Sequence, residues 1–485
     1  MKSTVLAFLV SAISFLAFSQ LKVKGEKDKQ FVAQELDRKF SKSCTIAKQI
    51  WSWAEMGYLE QKSSALHQET LKSAGFSIQT GVADIPTAFV ATYGSGKPVI
   101  GILAEFDALP GLSQDSVPYK KPIREGAPGH GCGHNLFGTA SVTAAIAIKD
   151  WLVKNNRSGT IKVFGTPAEE GGGGKTYMVK AGLFNGIDAV LHWHPGNSNQ
   201  ANPESCLANI SGRFRFHGVA AHAAANPDAG KSALDAVESM DYMVNLMREH
   251  VPQESRIHYV ITKGGLTSNV VPDFAEVEYT VRHPDVTMTK KIWARVVKCA
   301  DAAAMGTETT MDYELESGLY NLLPNETLSK IMHDNLTMVG GVKYTPAEIE
   351  FAQTLQTSFT GKKPDVRDAA TVEPYRTGVF FPASTDVGNI SWVVPTVGLS
   401  TATWVPGTPA HSWQSTSTGA MGIGLKAMLN ASKTIAMTGV DLFNNPTAID
   451  AAKTELNNRR GGDFKYESLV GDRKPPLDYR KDQVK

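Results

Sequence analysis

Residues 129–135 read GHGCGHN, which sets His130, Cys132 and His134 at alternate positions between glycines. Thiolate and imidazole are ligands for zinc and related ions, yet no second CxxC or HxxxH follows to close a zinc finger. The stretch could hold a structural metal, a redox thiol, or half of a catalytic centre completed from far along the chain. A hydrolytic metal centre needs nitrogen, oxygen or sulfur ligands, one open position and a base for the attacking water. Cys132 and His134 can both aim inward if the glycines let the backbone turn tightly. Glu169 and Glu170, in TPAEEGGGG, point in different directions at a strand end, so one can ligate while the other removes a proton. His192 and His194 stand in HWHPG, and His411 in GTPAHSW. One ion would be nearly satisfied by Cys132, His134 and a carboxylate. The additional histidines favour two divalent ions.

Other residues imitate chemistry without supporting it. GGGGKT invites a phosphate-loop reading, but the leading glycine of that motif would fall on Glu169. A redox role for Cys132 is weak, because no resolving cysteine lies nearby. His222, in GVAAHAAANPDAG, is by default a core or surface histidine, and His217, His250, His258 and His283 have no comparable surroundings.

The elements that must carry these residues share a pattern. PVIGILAEFD, TIKVFGTPAEE and DAVLHWHPG are apolar runs ending in Glu, Asp or His, and VPTVGLSTATW reaches His411 after a looser turn. Such runs, separated by helical stretches, read as buried strands of a largely parallel sheet. Ligands bind outside the carboxyl ends of strands in open α/β sheets, so the active edge is expected there. A helical stretch from about Asp28 to Ala74 precedes them. Between Cys206 and Ser317 the order becomes β-α-β-β-α-β, a ferredoxin-like unit inserted into the first domain. The fold class is therefore α/β, a mostly parallel-sheet domain in two segments, 20–205 and 318–485, with an α+β insert at 206–317. Residues 343–383 read as Pro-rich and polar loops forming a lid or surface elaboration, and the tail from Asn457 is polar and aperiodic.

With 485 residues and 42% hydrophobic composition the chain reads as globular, and its net charge of +1 predicts neither nucleic acid nor an anionic membrane as partner. Residues 1–19 carry one Lys, an apolar run and Ala17-Phe18-Ser19, the pattern of a secretory signal cleaved before Gln20. The alternative is an N-terminal membrane anchor, for which the run is short. No later stretch is expected to be long and apolar enough to cross a bilayer. Export would permit disulfides, but four cysteines are too few for a disulfide scaffold; Cys44 and Cys299 read as buried helix residues, and Cys206 carries no specific signal.

GHGCGHN, PAEEGGGG, HWHPG, GVAAHAAANP, TSNVVPD and GTPAHSWQ, in this order, resemble the M20 metallopeptidase/amidohydrolase family. The similarity runs from about Gln34 to Leu442 and is strongest to a branch acting on p-aminobenzoyl-glutamate and related N-acyl amino acids. It implies two divalent ions, zinc or manganese, held by Cys132, His134, Glu170, His194 and His411, with Cys132 bridging. It makes Glu169 the base and His192 a neighbour of the ligand; His130 then reads as a residue that supports a ligand from behind or fixes the loop. It also implies a homodimer whose inserted unit delivers His222 into the partner's site to polarise the substrate carbonyl, with Asn269 contacting substrate. Asn135 stands where many members have Asp, which agrees with that branch. The expected leader departs from a family usually found in the cytoplasm. A dipeptidase or carboxypeptidase of the same family would use the same centre. A non-catalytic binding protein would not need Glu169.

Overall fold

The computed structural model describes the backbone of residues 2–483 and side chains from Gly25 to Gln483; no side chain of the expected leader, 1–19, is among them. In chain order the strands are β1 (Ser77–Thr80), β2 (Phe89–Ser95), β3 (Val99–Ala104), β4 (Gly159–Gly165), β5 (Ala189–Gly196) and β6 (Glu204–Cys206). They continue as β7 (Ala208–His217), β8 (Arg256–Lys263), β9 (Phe274–His283), β10 (Thr310–Leu319), β11 (Val379–Phe381) and β12 (Thr396–Ala402).

The four apolar runs of the sequence become β3, β4, β5 and β12, all parallel, in a sheet of order β1-β2-β4-β3-β5-β12. The β1–β2 hairpin adds antiparallel pairing along β4. Helices α1 (Lys2–Trp53), α2 (Gln61–Ser73), α3 (His134–Lys154) and α4 (Gly174–Lys180) accompany the first strands. The predicted helical stretch is thus two helices, because the chain breaks at 54–60, where Ala54 and Tyr58 take positive φ. α3 corrects one expectation: by length and composition it could cross a membrane, but it is a core helix whose side chains are almost all buried. Its apolar surface is satisfied by β3, β5 and neighbouring helices, so no bilayer is needed.

The insert has the expected order, with α5 (Ala233–Met247) and α6 (Val286–Gly306) packed on the antiparallel sheet β10-β7-β9-β8. Alternation makes this sheet two-faced. Phe214 and Phe216 point into a separate core, while Arg213 and Arg215 point outward to Glu316 (2.7 Å) and Glu314 (2.9 Å).

The rest of the chain adds α7 (Glu326–Val339), α8 (Pro346–Gln356), α9 (Val387–Ser391), α10 (Trp413–Thr418), α11 (Gly422–Asn444) and α12 (Pro446–Arg460). α11 packs against α1, α3 and β12. Within 343–383, expected as loops, α8 forms with its own small core. Thr345 and Glu348 make a capping box and Pro346 opens the first turn, so the Pro-rich character marks a helix start. The aperiodic tail is also held: Leu469 enters the core of the insert and Val470 that of the main sheet.

Candidate metal centre

Each donor reaches the same sheet edge by a local device. Gly133, at φ 80°, turns the chain from Cys132 directly into α3, which begins at His134. Strand alternation in β5 sends Trp193 into the core, where its indole N–H donates to the Phe137 carbonyl at 3.0 Å, and sends His192 and His194 to the opposite face. Glu169 and Glu170 follow β4 through Ala168, whose φ of 56° is strained for a residue with a Cβ. His411 also has positive φ, 54°, in the loop after β12. Its side chain is 51% exposed, so the site opens to solvent there.

The donors form two groups with one shared member. Cys132, His134 and His194 present ligand atoms within 4.8 Å of one another, and so do Cys132, Glu170 and His411. Cys132 Sγ lies 3.3 Å from His194 Nε2. Zn–S and Zn–N bonds in a tetrahedral site would hold such atoms about 3.5 Å apart. His411 Nε2 approaches Glu170 Oε1 at 3.1 Å, yet that oxygen is buried and makes no hydrogen bond. His134 Nε2 is likewise buried without one. The two groups, with Cys132 common to both, offer thiolate, imidazole and carboxylate atoms that could hold divalent cations.

Electrostatics agree with a site built for positive charge. Burial pushes the Cys132 thiol well up, with His134 opposing. Burial alone would lower His134, but Cys132, Asp107 and Glu105 outweigh it and hold the imidazole well above its usual range. Glu169 is raised by burial and by the carboxylates of Glu105, Glu170 and Asp386. Burial would also raise Glu170, but the contact with His411 and the charge of His134 bring it below the usual range.

His192 joins no donor group; burial lowers it to about 3, and its ring packs so closely on Gly398 that a Cβ there would clash with it. His130 Nε2 meets the Ile50 carbonyl at 3.1 Å, tying the loop to α1. Asn135 donates to the carbonyls of Ala47 (3.2 Å) and Gly419 (2.9 Å), again a structural contact. His222 and Asn269 lie on the insert, where the Ala223 N–H donates to the Asn269 carbonyl at 3.0 Å, and neither residue belongs to a donor group.

Sequence reasoning left several supports without a role. Asp107 Oδ1 holds His134 Nδ1 at 2.9 Å and Oδ2 accepts the Glu170 N–H at 2.9 Å. Glu105 stands 3.1 Å from His134 Nε2 and, with Glu169, forms a third close group around that imidazole. Lys175, which follows the glycine run, is fully buried between Glu105 (2.7 Å) and Asp386 (2.6 Å). Burial opposes its charge, but the two carboxylates prevail and raise it. Glu60, pushed up to about 8 by burial and by Asp107, accepts the Ala168 N–H at 2.8 Å and the Thr87 hydroxyl at 3.0 Å. The acids closing the β3 run were a visible signal; Lys175 had only its place after a glycine run, and Glu60 had none.

Known proteins resemble this chain in sequence and in fold. The sequence profile of Peptidase family M20/M25/M40 matches residues 101–321. The chain is 40% identical over 440 residues to one of the subunits of the p-aminobenzoyl-glutamate hydrolase of Escherichia coli, covering 85% of this chain and 92% of the relative. It is 29% identical over 448 residues to the Xaa-Arg dipeptidase of Mus musculus, covering 88% and 92%. Among solved structures, a dinuclear metal binding peptidase of family M20 from Bacillus subtilis aligns with a TM-score of 0.55 at 17% identity, covering 84% of this chain and 99% of the other, which establishes likeness of fold. The edge of the sheet, the donors gathered on it and the extent of these matches together place the chain in peptidase family M20, among its amide-bond hydrolases.

Proposed function

We propose that the protein hydrolyses the amide joining an acyl or aroyl group to an amino acid, with p-aminobenzoyl-glutamate as the leading substrate. The observation carrying this reading is the pair of donor groups sharing Cys132, with Glu169 adjacent to the donor Glu170. Two divalent cations would be held by Cys132, His134 and His194 and by Cys132, Glu170 and His411. When bound they supply Lewis-acid polarisation of the scissile carbonyl and acidify water. The thiolate and imidazoles suit zinc, and the carboxylate tolerates manganese. Glu169 takes one proton from water as its oxygen adds to the carbonyl carbon, then gives that proton to the amine nitrogen as the C–N bond breaks. Asp107 orients His134 through Nδ1 and fixes the Glu170 backbone.

The working unit is proposed to be a homodimer in which His222 from a second copy donates to the carbonyl oxygen and Asn269 holds the substrate. Two features support this: Asn269 and the loop around His222 lie open on the insert, and β8 leaves an outer edge with Tyr259, Val260 and Ile261 uncovered. Two different subunits of the E. coli p-aminobenzoyl-glutamate hydrolase resemble this chain, which supports a further, non-identical chain in the assembly. Export through the 1–19 leader is proposed from its sequence pattern, and N-terminal sequencing of the mature protein checks for Gln20.

The similarity to a Xaa-Arg dipeptidase supports a second reading, in which a dipeptide occupies the same centre. A panel of p-aminobenzoyl-glutamate, N-acyl amino acids and Xaa-Arg dipeptides separates the two. Wild type loaded with Zn²⁺ or Mn²⁺ is expected to prefer the aroyl amino acid. Glu169→Gln should lose at least about 10²-fold in kcat while still binding metal. Equal turnover by both proteins would refute the mechanism.

A further inference from the structure

The carbonyl of Glu170 accepts two hydrogen bonds from the far end of the chain, the Tyr479 hydroxyl at 2.8 Å and Arg480 Nη2 at 2.9 Å. Both lone pairs of one peptide oxygen are thereby used. The tail is anchored just before this point: Leu469 and Val470 enter the two cores, and the Gly471 carbonyl accepts from Lys180 at 2.7 Å. Tyr479 packs edge-on against Tyr58, their centroids 5.7 Å apart, and the Tyr58 hydroxyl donates to the Gly172 carbonyl at 2.7 Å. Gly57 lies directly beneath, where a Cβ would meet the Tyr479 hydroxyl.

The loop that receives these contacts is strained and needs several constraints. Ala168 is held at φ 56° with its N–H on Glu60, and the Glu170 N–H is on Asp107. Those bonds fix the loop's N–H groups on acids that precede α2 and follow β3, while the tail supplies donors on the Glu170 carbonyl. Strained backbone persists only when its surroundings over-determine it.

We propose that the C-terminal segment is a strap whose Tyr479 and Arg480 are positioning residues for the Glu169–Glu170 pair. The catalytic part of this inference rests on the amidohydrolase reading above. Released from the strap, the Glu170 peptide can rotate, which moves a ligand carboxylate and the adjacent base together. Misplacement by an ångström can cost about 10²-fold in rate.

The test uses the full-length protein carrying Tyr479→Phe/Arg480→Ala, the conservative Arg480→Lys, and a chain ending at Asp478. Backbone exchange over 167–174, Zn²⁺ titration by calorimetry, and kcat and KM on p-aminobenzoyl-glutamate are compared with wild type. The double variant is expected to exchange faster at 167–174, to weaken one of two zinc-binding events, and to lose about 10–100-fold in kcat. KM should stay within about threefold, and Arg480→Lys should retain most of the rate. Unchanged exchange and unchanged zinc binding in both the double variant and the truncation would overturn the strap. If wild type cleaves no amide in the panel, the functional reading fails, while exchange at 167–174 still decides the strap.

Discussion

Lys175 shows how much of this centre rests on a buried residue that belongs to none of the donor groups. Its ammonium sits between Glu105 and Asp386 with all three side chains buried, and Asp386 also accepts the Lys175 N–H at 2.9 Å. Removing one partner of such a buried network leaves uncompensated charge, a loss of about 3–5 kcal/mol. Lys175→Met is therefore expected to lower stability by that amount in urea unfolding, the methionine filling much of the lysine's volume but leaving two carboxylates unpaired. Asp386→Asn should cost less, because an amide still accepts from Lys175. Equal stability of wild type and Lys175→Met would show that the network carries no net energy.

At the scale of elements, the packing of α5 on β9 contains a buried acid whose ionisation is readable in solution. Burial raises Asp241 from 3.8 to about 6, against the lowering effect of the Tyr279 hydroxyl that donates to it. The folded state thus binds this proton more tightly than the unfolded chain does. The resulting stabilisation is full below pH about 4 and is lost as pH rises through about 6. Asp241→Asn, which keeps an acceptor for Tyr279 but cannot ionise, should gain thermal stability relative to wild type as pH rises between those values. A pH-independent difference in Tm would exclude this origin. Elsewhere, local sequence foretold the elements that had a strong period. The four apolar runs became parallel strands because burial on both faces demands continuous hydrophobicity. α8 was concealed because two of its helix-start signals, Thr345 and Pro346, are also turn-like residues.

For the whole molecule, the exposed edge of the insert is the surface on which the homodimer proposal depends. β8 has seven of eight residues exposed, and only β9 pairs with it among the described residues. An uncovered strand of this kind invites pairing with another chain. Val260→Lys should shift sedimentation from dimer toward monomer and reduce kcat, since His222 would no longer reach a second copy's site. Wild type sedimenting as a monomer with full activity would remove the in-trans role.

What the sequence determined by itself was the chemistry and the architecture that carries it. Cysteine, histidine and glutamate at the ends of apolar runs are a local pattern, and β-α-β-β-α-β order is a linear one, so both can be read without coordinates. Only the tertiary structure decided which donors stand together. The division into Cys132–His134–His194 and Cys132–Glu170–His411 depends on distances between residues up to 279 positions apart, Cys132 to His411, which no local periodicity encodes. The supports are hidden for the same reason. Glu60, Lys175, Asp386 and Tyr479 act through hydrogen bonds closed across the fold, and a hydrogen-bond partner that is distant in sequence leaves no mark on the residues around it.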